Sequence, residues 1–245
     1  MQKSWQRLGI ASAAFWQYIG GVDLETTSSR KQVNAEQVDL GGLTPSYIFS
    51  KRCFDFLASL VGLVLLSGVF LVIGILIKVD DPRGKIFYSQ TRLGKNGREF
   101  QMWKFRSMVS GADKMVDKLL RRNDVQGAMF KIKNDPRITR VGRVLRKYSL
   151  DELPQLYNVL VGDMSLVGPR PPLPREVVKY TDYDLQRLAV IPGCTGLWQI
   201  SGRNELGFSE MVALDIHYIN SASFFGDLKI LLKTVMVVIH PTGAY

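Results

Sequence analysis

The chain has 245 residues, 46% of them hydrophobic, and a formal net charge of +10, a size that allows one catalytic domain with attachments. Two cysteines and two histidines are too few for a disulfide framework or a Cys/His zinc site, and they suit a reducing compartment. The positive charge calls for an anionic partner, and by itself it does not choose among phospholipid headgroups, phosphorylated substrates and nucleic acid.

In chain order, Ser4–Ile19 reads as a short amphipathic helix whose Trp5, Phe15, Trp16 and Tyr18 suit a membrane interface. Residues 22–45 are polar and rich in Gly, Ser and Thr, a linker composition. Phe56–Ile77 then runs without a charge, long enough at ~1.5 Å per residue to cross roughly 30 Å of hydrocarbon. It is apolar all round, so it is no one-faced surface helix. Lys51 and Arg52 precede it and Lys78, Arg83 and Lys85 follow, so the charge asymmetry that orients a simple span is missing. A helix that enters, bends at Ser67-Gly68 and returns to the same face explains both observations. Asp55 at the entrance needs a partner such as Arg52 or a backbone amide.

Asp80–Gly84 is a turn, and Lys85–Tyr88 and Glu99–Phe105 read as short strands joined by the turn residues Gly94–Gly97. Ala112–Arg122 and Arg137–Lys147 have helical periodicity, a helix is expected to begin around Asp151, and another is expected over Glu176–Leu188. Phe208–Ile219 and Phe224–His240 read as helices too, the last either lying along a membrane interface or packed as a core helix. No repeat and no Gly-rich nucleotide motif of the Rossmann or Walker kind occurs. The expected class is a helix-rich α/β domain.

Arg137, Arg140, Arg143 and Arg146, spaced by threes, lie along one side of the helix expected there. They read either as a solvated or headgroup-facing stripe or as a site for an anion. Ser149-Leu150-Asp151-Glu152 matches a capping box. Pro154 sits more comfortably if Asp151 rather than Ser149 is the cap. Two carboxylates and Arg146 thus gather at a helix start, where free N–H groups favour phosphate; an ordinary cap is the plainer reading. Downstream, the prolines of Gly168-Pro169-Arg170-Pro171-Pro172 present Arg170 from a stiff segment, and a guanidinium forks well onto phosphate oxygens. The glycine-rich Pro192–Asn204 run either holds a base or polyphosphate or turns around a core Trp198.

Taken together, Lys51–Asp55, Gln90–Gly94, Lys104–Met108, Ser149–Leu153, Gly168–Pro172 and Pro192–Asn204 resemble the bacterial sugar transferase family. These are the monotopic phosphoglycosyl transferases that initiate capsule, exopolysaccharide and O-antigen synthesis. The resemblance implies residues 1–50 as an extension, 51–79 as a re-entrant membrane helix and 80–245 as a catalytic domain on the cytosolic face of the bacterial inner membrane. It implies Asp151 as a nucleophile on the sugar-bearing phosphate of a UDP-sugar, with release of UMP. The phosphosugar held on the carboxylate then passes to undecaprenyl phosphate. Mg²⁺ would be held by Asp151 and Glu152, and phosphate oxygens by Arg146 and Arg170, with Lys104, Arg106, Arg203 and Asp215 as further contacts. Membrane phospholipid is an expected partner, nucleic acid is not, and a homodimer is compatible with the family. Leu197-Trp198-Gln199 and the ending Gly243-Ala244-Tyr245 are similar to the galactose- or glucose-1-phosphate transferases.

One departure stands out. Relatives commonly have Pro after the mid-helix Ser, where this chain has Gly68, and glycine permits a bend without enforcing it. Rival readings are a membrane adaptor without catalysis, which would not notice Asp151→Asn, and a transferase that moves the sugar alone and releases UDP.

Overall fold

The structure, a computed structural model, describes residues 43–115, 135–202 and 206–239. The expected helix at 4–19, most of the 22–45 linker, the greater part of the 112–122 run and Arg203 lie outside these residues. Helix α1 (Pro45–Leu65) is followed by α2 (Ser67–Asp80), then by the hairpin β1 (Phe87–Leu93) and β2 (Glu99–Phe105). Next come α3 (Arg140–Lys147), a single 3₁₀ turn at Leu150–Glu152, α4 (Gln155–Val161) and β3 (Ser165–Val167). Short α5 (Pro174–Val177) and α6 (Asp182–Leu185) lead to β4 (Gly193–Thr195) and α7 (Leu197–Ser201), and α8 (Phe208–Asn220) and α9 (Phe224–Ile239) close the series. The chain is thus a helix-rich α/β protein with two small sheets, β1–β2 antiparallel and β3–β4 parallel.

Helix α1 starts where Thr44 accepts the Tyr47 N–H at 3.2 Å and Pro45 takes the first turn, a position where its missing donor costs nothing. Helices α1 and α2 meet at 59°. The bend falls at Leu66, beside the expected Ser67-Gly68 point, and needs no proline. The Leu66 N–H still bonds Gly62 O, and the Phe70 N–H bonds Leu66 O. Among the described residues no single helix is long and apolar enough to cross a membrane, whereas the bent pair together meets the length and composition required. One side of α2 is buried, with Ile73 and Ile77 against Phe105 and Leu145. The other leaves Leu71, Val72, Ile75 and Leu76 exposed.

The β1–β2 hairpin packs against α4. Phe100 and Met102 of β2 are buried at strand spacing and join Val159 and Met164 in one cluster, while Phe105, on the opposite face, packs with Ile73, Ile77 and Leu145. The first strand is Phe87–Leu93 and not the expected Lys85–Tyr88. Its pairing runs from Phe87 opposite Phe105 to Leu93 opposite Glu99, so backbone ladder bonds carry the polar Gln90-Thr91-Arg92 stretch that side-chain patterning passes over. At the outer edge of β2, Asn158 of α4 accepts the Trp103 N–H at 3.0 Å and donates to Gln101 O at 2.7 Å. A helix side chain thereby finishes the sheet edge.

Three helix expectations change. Helix α3 starts at Arg140 because Thr139 caps it, accepting the Gly142 N–H at 2.9 Å; Arg137 is left outside, buried on Asp135. The expected Glu176–Leu188 helix breaks, because Thr181 and Asp184 form a reciprocal cap that starts α6 afresh. No regular helix starts at Asp151, and neither proposed cap operates: Ser149 is left-handed at φ 54° without a capping bond, and α4 begins after Pro154. Helix α9 is no core helix, since only Asp227 and Ile230 are buried, while Phe225, Leu232, Val235 and Met236 are exposed.

Candidate active site

The Asp151–Glu152 pair lies on the 3₁₀ turn between α3 and α4. A non-glycine residue at positive φ costs about 1–3 kcal/mol and persists only where its surroundings dictate it. Here α3 ends with the Tyr148 N–H on Val144 O and the Ser149 N–H on Arg146 O, and the chain must turn at once to bury Leu150 and Leu153 beside Phe105. The reversal at Ser149 turns the Asp151 side chain inward, where it is buried.

Burial pushes the Asp151 carboxyl above the usual aspartate range and the Glu152 charge adds to that, while Lys104 and Arg146 pull the other way. Burial also opposes a charge on Glu152, but Lys104 against it, with Arg170 and Arg92 nearby, holds its carboxyl below the glutamate range. The environments thus push two adjacent carboxylates apart, a pattern associated with reactive sites. Arg146 reaches the turn from the last part of α3 and donates from Nε to Ser107 Oγ at 2.9 Å. Helix α3 can lie this close because residue 142 is glycine: a β-carbon there would collide with the Ser107 carbonyl. That carbonyl also accepts the Thr139 N–H at 3.1 Å.

The remaining expected site residues divide. Lys104 joins the carboxylates through its ion pair with Glu152. Arg170 is half-buried, and its charge acts on Glu152. Arg106 instead turns to the end of α2, pairing with Asp81 at 2.9 Å and donating to Ser110 and Asp81 O; a β-carbon at Gly84 would strike its guanidinium. Asp215 of α8 is 1% exposed and ion-paired with buried Arg187. Burial raises its carboxyl to about 6 even with Arg187 against it, so the pair is ionised at neutral pH. In turn Arg187 donates to Tyr180 Oη at 3.1 Å and to Arg170 O at 3.5 Å. Trp198 is buried, which favours the core-turn reading of Pro192–Asn204.

The apolar hairpin is tied into this site's scaffold. Asp55 is 3% exposed and accepts Ser165 Oγ–H at 2.7 Å and the Leu166 N–H at 3.1 Å. The backbone-amide partner is therefore the one found. Arg52 takes a different task, donating to Val159 O and Leu160 O at the end of α4 at 2.6 and 2.8 Å. Lys51, Tyr47 and Tyr218 all donate to Asp227, which joins the start of α1 to α9. Sequence reasoning missed Arg187 and Ser107. Arg187 lies inside the expected Glu176–Leu188 helix, and the clue available is an arginine close to Leu185, Leu188 and Ala189.

Two carboxylates and no His or Cys make a hard-oxygen donor set. Among the described residues no group of three or more His, Cys, Asp or Glu side chains is placed to hold a metal ion. A pair still fits Mg²⁺, which commonly takes one or two carboxylates and completes its shell with substrate phosphate and water.

The sequence matches the bacterial sugar transferase family over residues 46–241. It is 48% identical over 200 residues to galactosyl transferase CpsE of Streptococcus agalactiae serotype III, covering 81% of this chain and 44% of that protein. To exopolysaccharide production protein ExoY of Rhizobium meliloti it is 44% identical over 211 residues, covering 84% of this chain and 93% of that one. To undecaprenyl-phosphate galactose phosphotransferase of Salmonella typhimurium it is 45% identical over 201 residues, covering 80% of this chain and 42% of the relative. The chain therefore spans less than half of the streptococcal and Salmonella proteins and nearly all of the Rhizobium one.

Proposed function

This chain belongs to the bacterial sugar transferase family, and from that premise we propose that it transfers a hexose 1-phosphate from a UDP-sugar to undecaprenyl phosphate. The observation that carries the reading is the buried Asp151 beside Glu152 on a constrained turn, with Lys104, Arg146 and Arg170 converging on the pair. In the first step the ionised Asp151 carboxylate attacks the sugar-bearing phosphorus. A phosphorus–oxygen bond forms to Asp151, the bond to the bridging oxygen breaks, and UMP leaves with that oxygen. In the second step a phosphate oxygen of the polyprenyl phosphate attacks the same phosphorus and returns the carboxylate.

A carboxylate approaching a dianionic diphosphate meets repulsion, and fixed cations offset it. Arg146, steadied by Ser107, and Arg170, on its proline-stiffened segment, are placed to hold phosphate oxygens. Lys104 keeps Glu152 ionised beside the nucleophile. Mg²⁺ would be held by Asp151 and Glu152 and would supply charge neutralisation on the diphosphate.

The acceptor's phosphate lies at a bilayer surface. The bent α1–α2 pair, apolar on its outer side and basic at Lys51, Arg52, Lys78 and Arg83, suits entry into one leaflet and return, with residues 80–245 forming the cytosolic domain. The apolar face of α9 suits the same interface. The names of the streptococcal and Salmonella relatives favour galactose as the sugar.

The test is UMP release by the detergent-purified protein with Mg²⁺, undecaprenyl phosphate and a panel of UDP-sugars, alongside a mass-spectrometric search for a hexose-phosphate adduct on the Asp151 peptide. UMP formed with UDP-galactose and lost in Asp151→Asn is expected. Release of UDP, or full activity in Asp151→Asn, would defeat the mechanism.

A further inference from the structure

The segment carrying Arg170 cannot hold its own shape. Pro169, Pro171 and Pro172 have no N–H to donate, and buried carbonyls need partners. Each of its four successive carbonyls takes a donor from elsewhere in the chain. The Gly193 N–H reaches Pro169 O at 2.8 Å and the Leu93 N–H reaches Pro172 O at 3.0 Å. Arg187 Nη2 reaches Arg170 O at 3.5 Å, and Arg92 Nη1 reaches Pro171 O at 3.0 Å.

Arg92 differs from Arg187 in one respect. Arg187 is neutralised by Asp215. Arg92 is only 5% exposed, yet its hydrogen-bond partners are neutral: Pro171 O and, from Nη2, Gln90 Oε1 at 2.9 Å. Its Nε is buried without a partner. Burying a cation without a carboxylate is expensive, and a neutral donor would serve the carbonyl equally well. A structural role at Pro171 therefore does not account for an arginine. Its surroundings do: burial and the like charge of Arg170 lower Arg92 to about 10, the buried Glu176 and, after it, Glu152 act the other way, so it stays charged at neutral pH and its charge acts on Glu152.

We propose that Arg92 is a positioning residue for the transfer reaction. It locks Pro171 so that Arg170 is presented to the Asp151–Glu152 pair. The role rests on the transferase reading above, and it gives a function to the Gln90–Gly94 motif that the reading leaves unused. Gln90 belongs to the same device, because it holds the second arm of the fork.

The test is a double-mutant cycle on UMP release, with Arg92→Gln, Arg92→Lys and Gln90→Leu each made alone and with Arg170→Ala. Misplacing a phosphate-holding group by about an ångström can cost on the order of 100-fold. Arg92→Gln is therefore expected to lower kcat/KM by about 10- to 100-fold. Arg92→Lys, which keeps the charge but cannot bridge both acceptors, is expected between Arg92→Gln and wild type. In the Arg170→Ala background the further loss is expected to shrink to less than about threefold, because residues acting as one unit are not additive. Should Arg92→Gln not melt cooperatively, Gln90→Leu carries the cycle, with a several-fold loss that likewise vanishes without Arg170. Losses that multiply with Arg170→Ala, or wild-type kcat/KM in both Arg92→Gln and Gln90→Leu, overturn the role. Wild-type protein that releases no UMP with any donor defeats the transferase reading itself and is a distinct result.

Discussion

Asp55 ties the bent α1–α2 pair to β3. Its two oxygens accept from β3 the Ser165 Oγ–H at 2.7 Å and the Leu166 N–H at 3.1 Å, the first in a buried and the second in a part-buried setting. Hydrogen bonds to a charged acceptor contribute about 1.5–3 kcal/mol each, and an orphaned buried N–H costs about 1–3 kcal/mol. Asp55→Ala removes both bonds and orphans Leu166, for an expected loss of about 3–5 kcal/mol. In a chain of this size that is roughly 6–20 °C in Tm. Asp55→Asn should be far milder. Its oxygen can still accept from Leu166, and its amide can donate to Ser165 Oγ, whose proton then goes to Val167 O, already 3.0 Å away. About 1 kcal/mol is expected for Asn. Thermal melts in one detergent, with UMP release measured below the transition, separate the two variants. An Ala variant melting with wild type, or an Asn variant falling as far as Ala, would refute the assignment of Asp55 as a two-bond tether.

The strained Ser149 gives a paired expectation: Ser149→Gly should melt at or slightly above wild type, and Ser149→Val should lose about 1–3 kcal/mol, read in the same melts. Gly142→Ala forces α3 away from the Ser107 carbonyl, so a loss of Tm together with a fall in kcat is expected, since Arg146 moves with the helix. Because burial raises the Asp151 carboxyl, the ionised form of the proposed nucleophile is lost as pH falls through a value above that of an ordinary aspartate; the acid limb of the kcat/KM profile should sit correspondingly high. Lys104→Met removes a cation that favours the charged form, so it should push that limb higher still. Asp215→Asn leaves Arg187 buried without its counter-ion and should cost about 3–5 kcal/mol.

Much of this was legible in the chain, and the exceptions have identifiable causes. The uncharged run and the bend beside Ser67 follow from composition and from glycine's tolerance. Helices α8 and α9 follow from periodicity, which α9 keeps even while exposing its apolar side. The start of α4 did not follow, because Ser149, Asp151 and Pro154 offer rival caps of similar quality. Packing of Leu150 and Leu153 on Phe105 decides among them, and that is a long-range fact. Side-chain patterning ends β1 too early because Gln90-Thr91-Arg92 has no apolar alternation, although these residues pair fully with β2. At the site, Asp151, Glu152, Arg146, Arg170 and Lys104 were named from motifs. Their association with Arg92 and Arg187 is set by which carbonyls the Pro169–Pro172 segment leaves open, and no spacing rule encodes that.

The excess of positive charge becomes intelligible once the cations are sorted by partner. Arg106 has Asp81, Arg137 has Asp135, Arg187 has Asp215 and Lys51 has Asp227. Each of these pairs joins segments or fixes a turn, and each is neutral as a unit. Lys104 is shared with the site through Glu152. Among the described residues, Arg92, Arg146 and Arg170 are cations near the carboxylate pair that appear in no ion pair. Three cations facing one carboxylate pair repel one another more than that pair offsets, and an arriving anion relieves the repulsion. A UDP-sugar supplies that anion in the first proposed step, and a polyprenyl phosphate supplies it in the second. The same three cations can therefore serve both half-reactions without moving. That economy predicts a shared penalty: neutralising Arg170 should slow UMP release and the later transfer to lipid by similar factors, measured separately by single-turnover mixing. A variant that slowed only one half-reaction would show that the two phosphates are held by different residues.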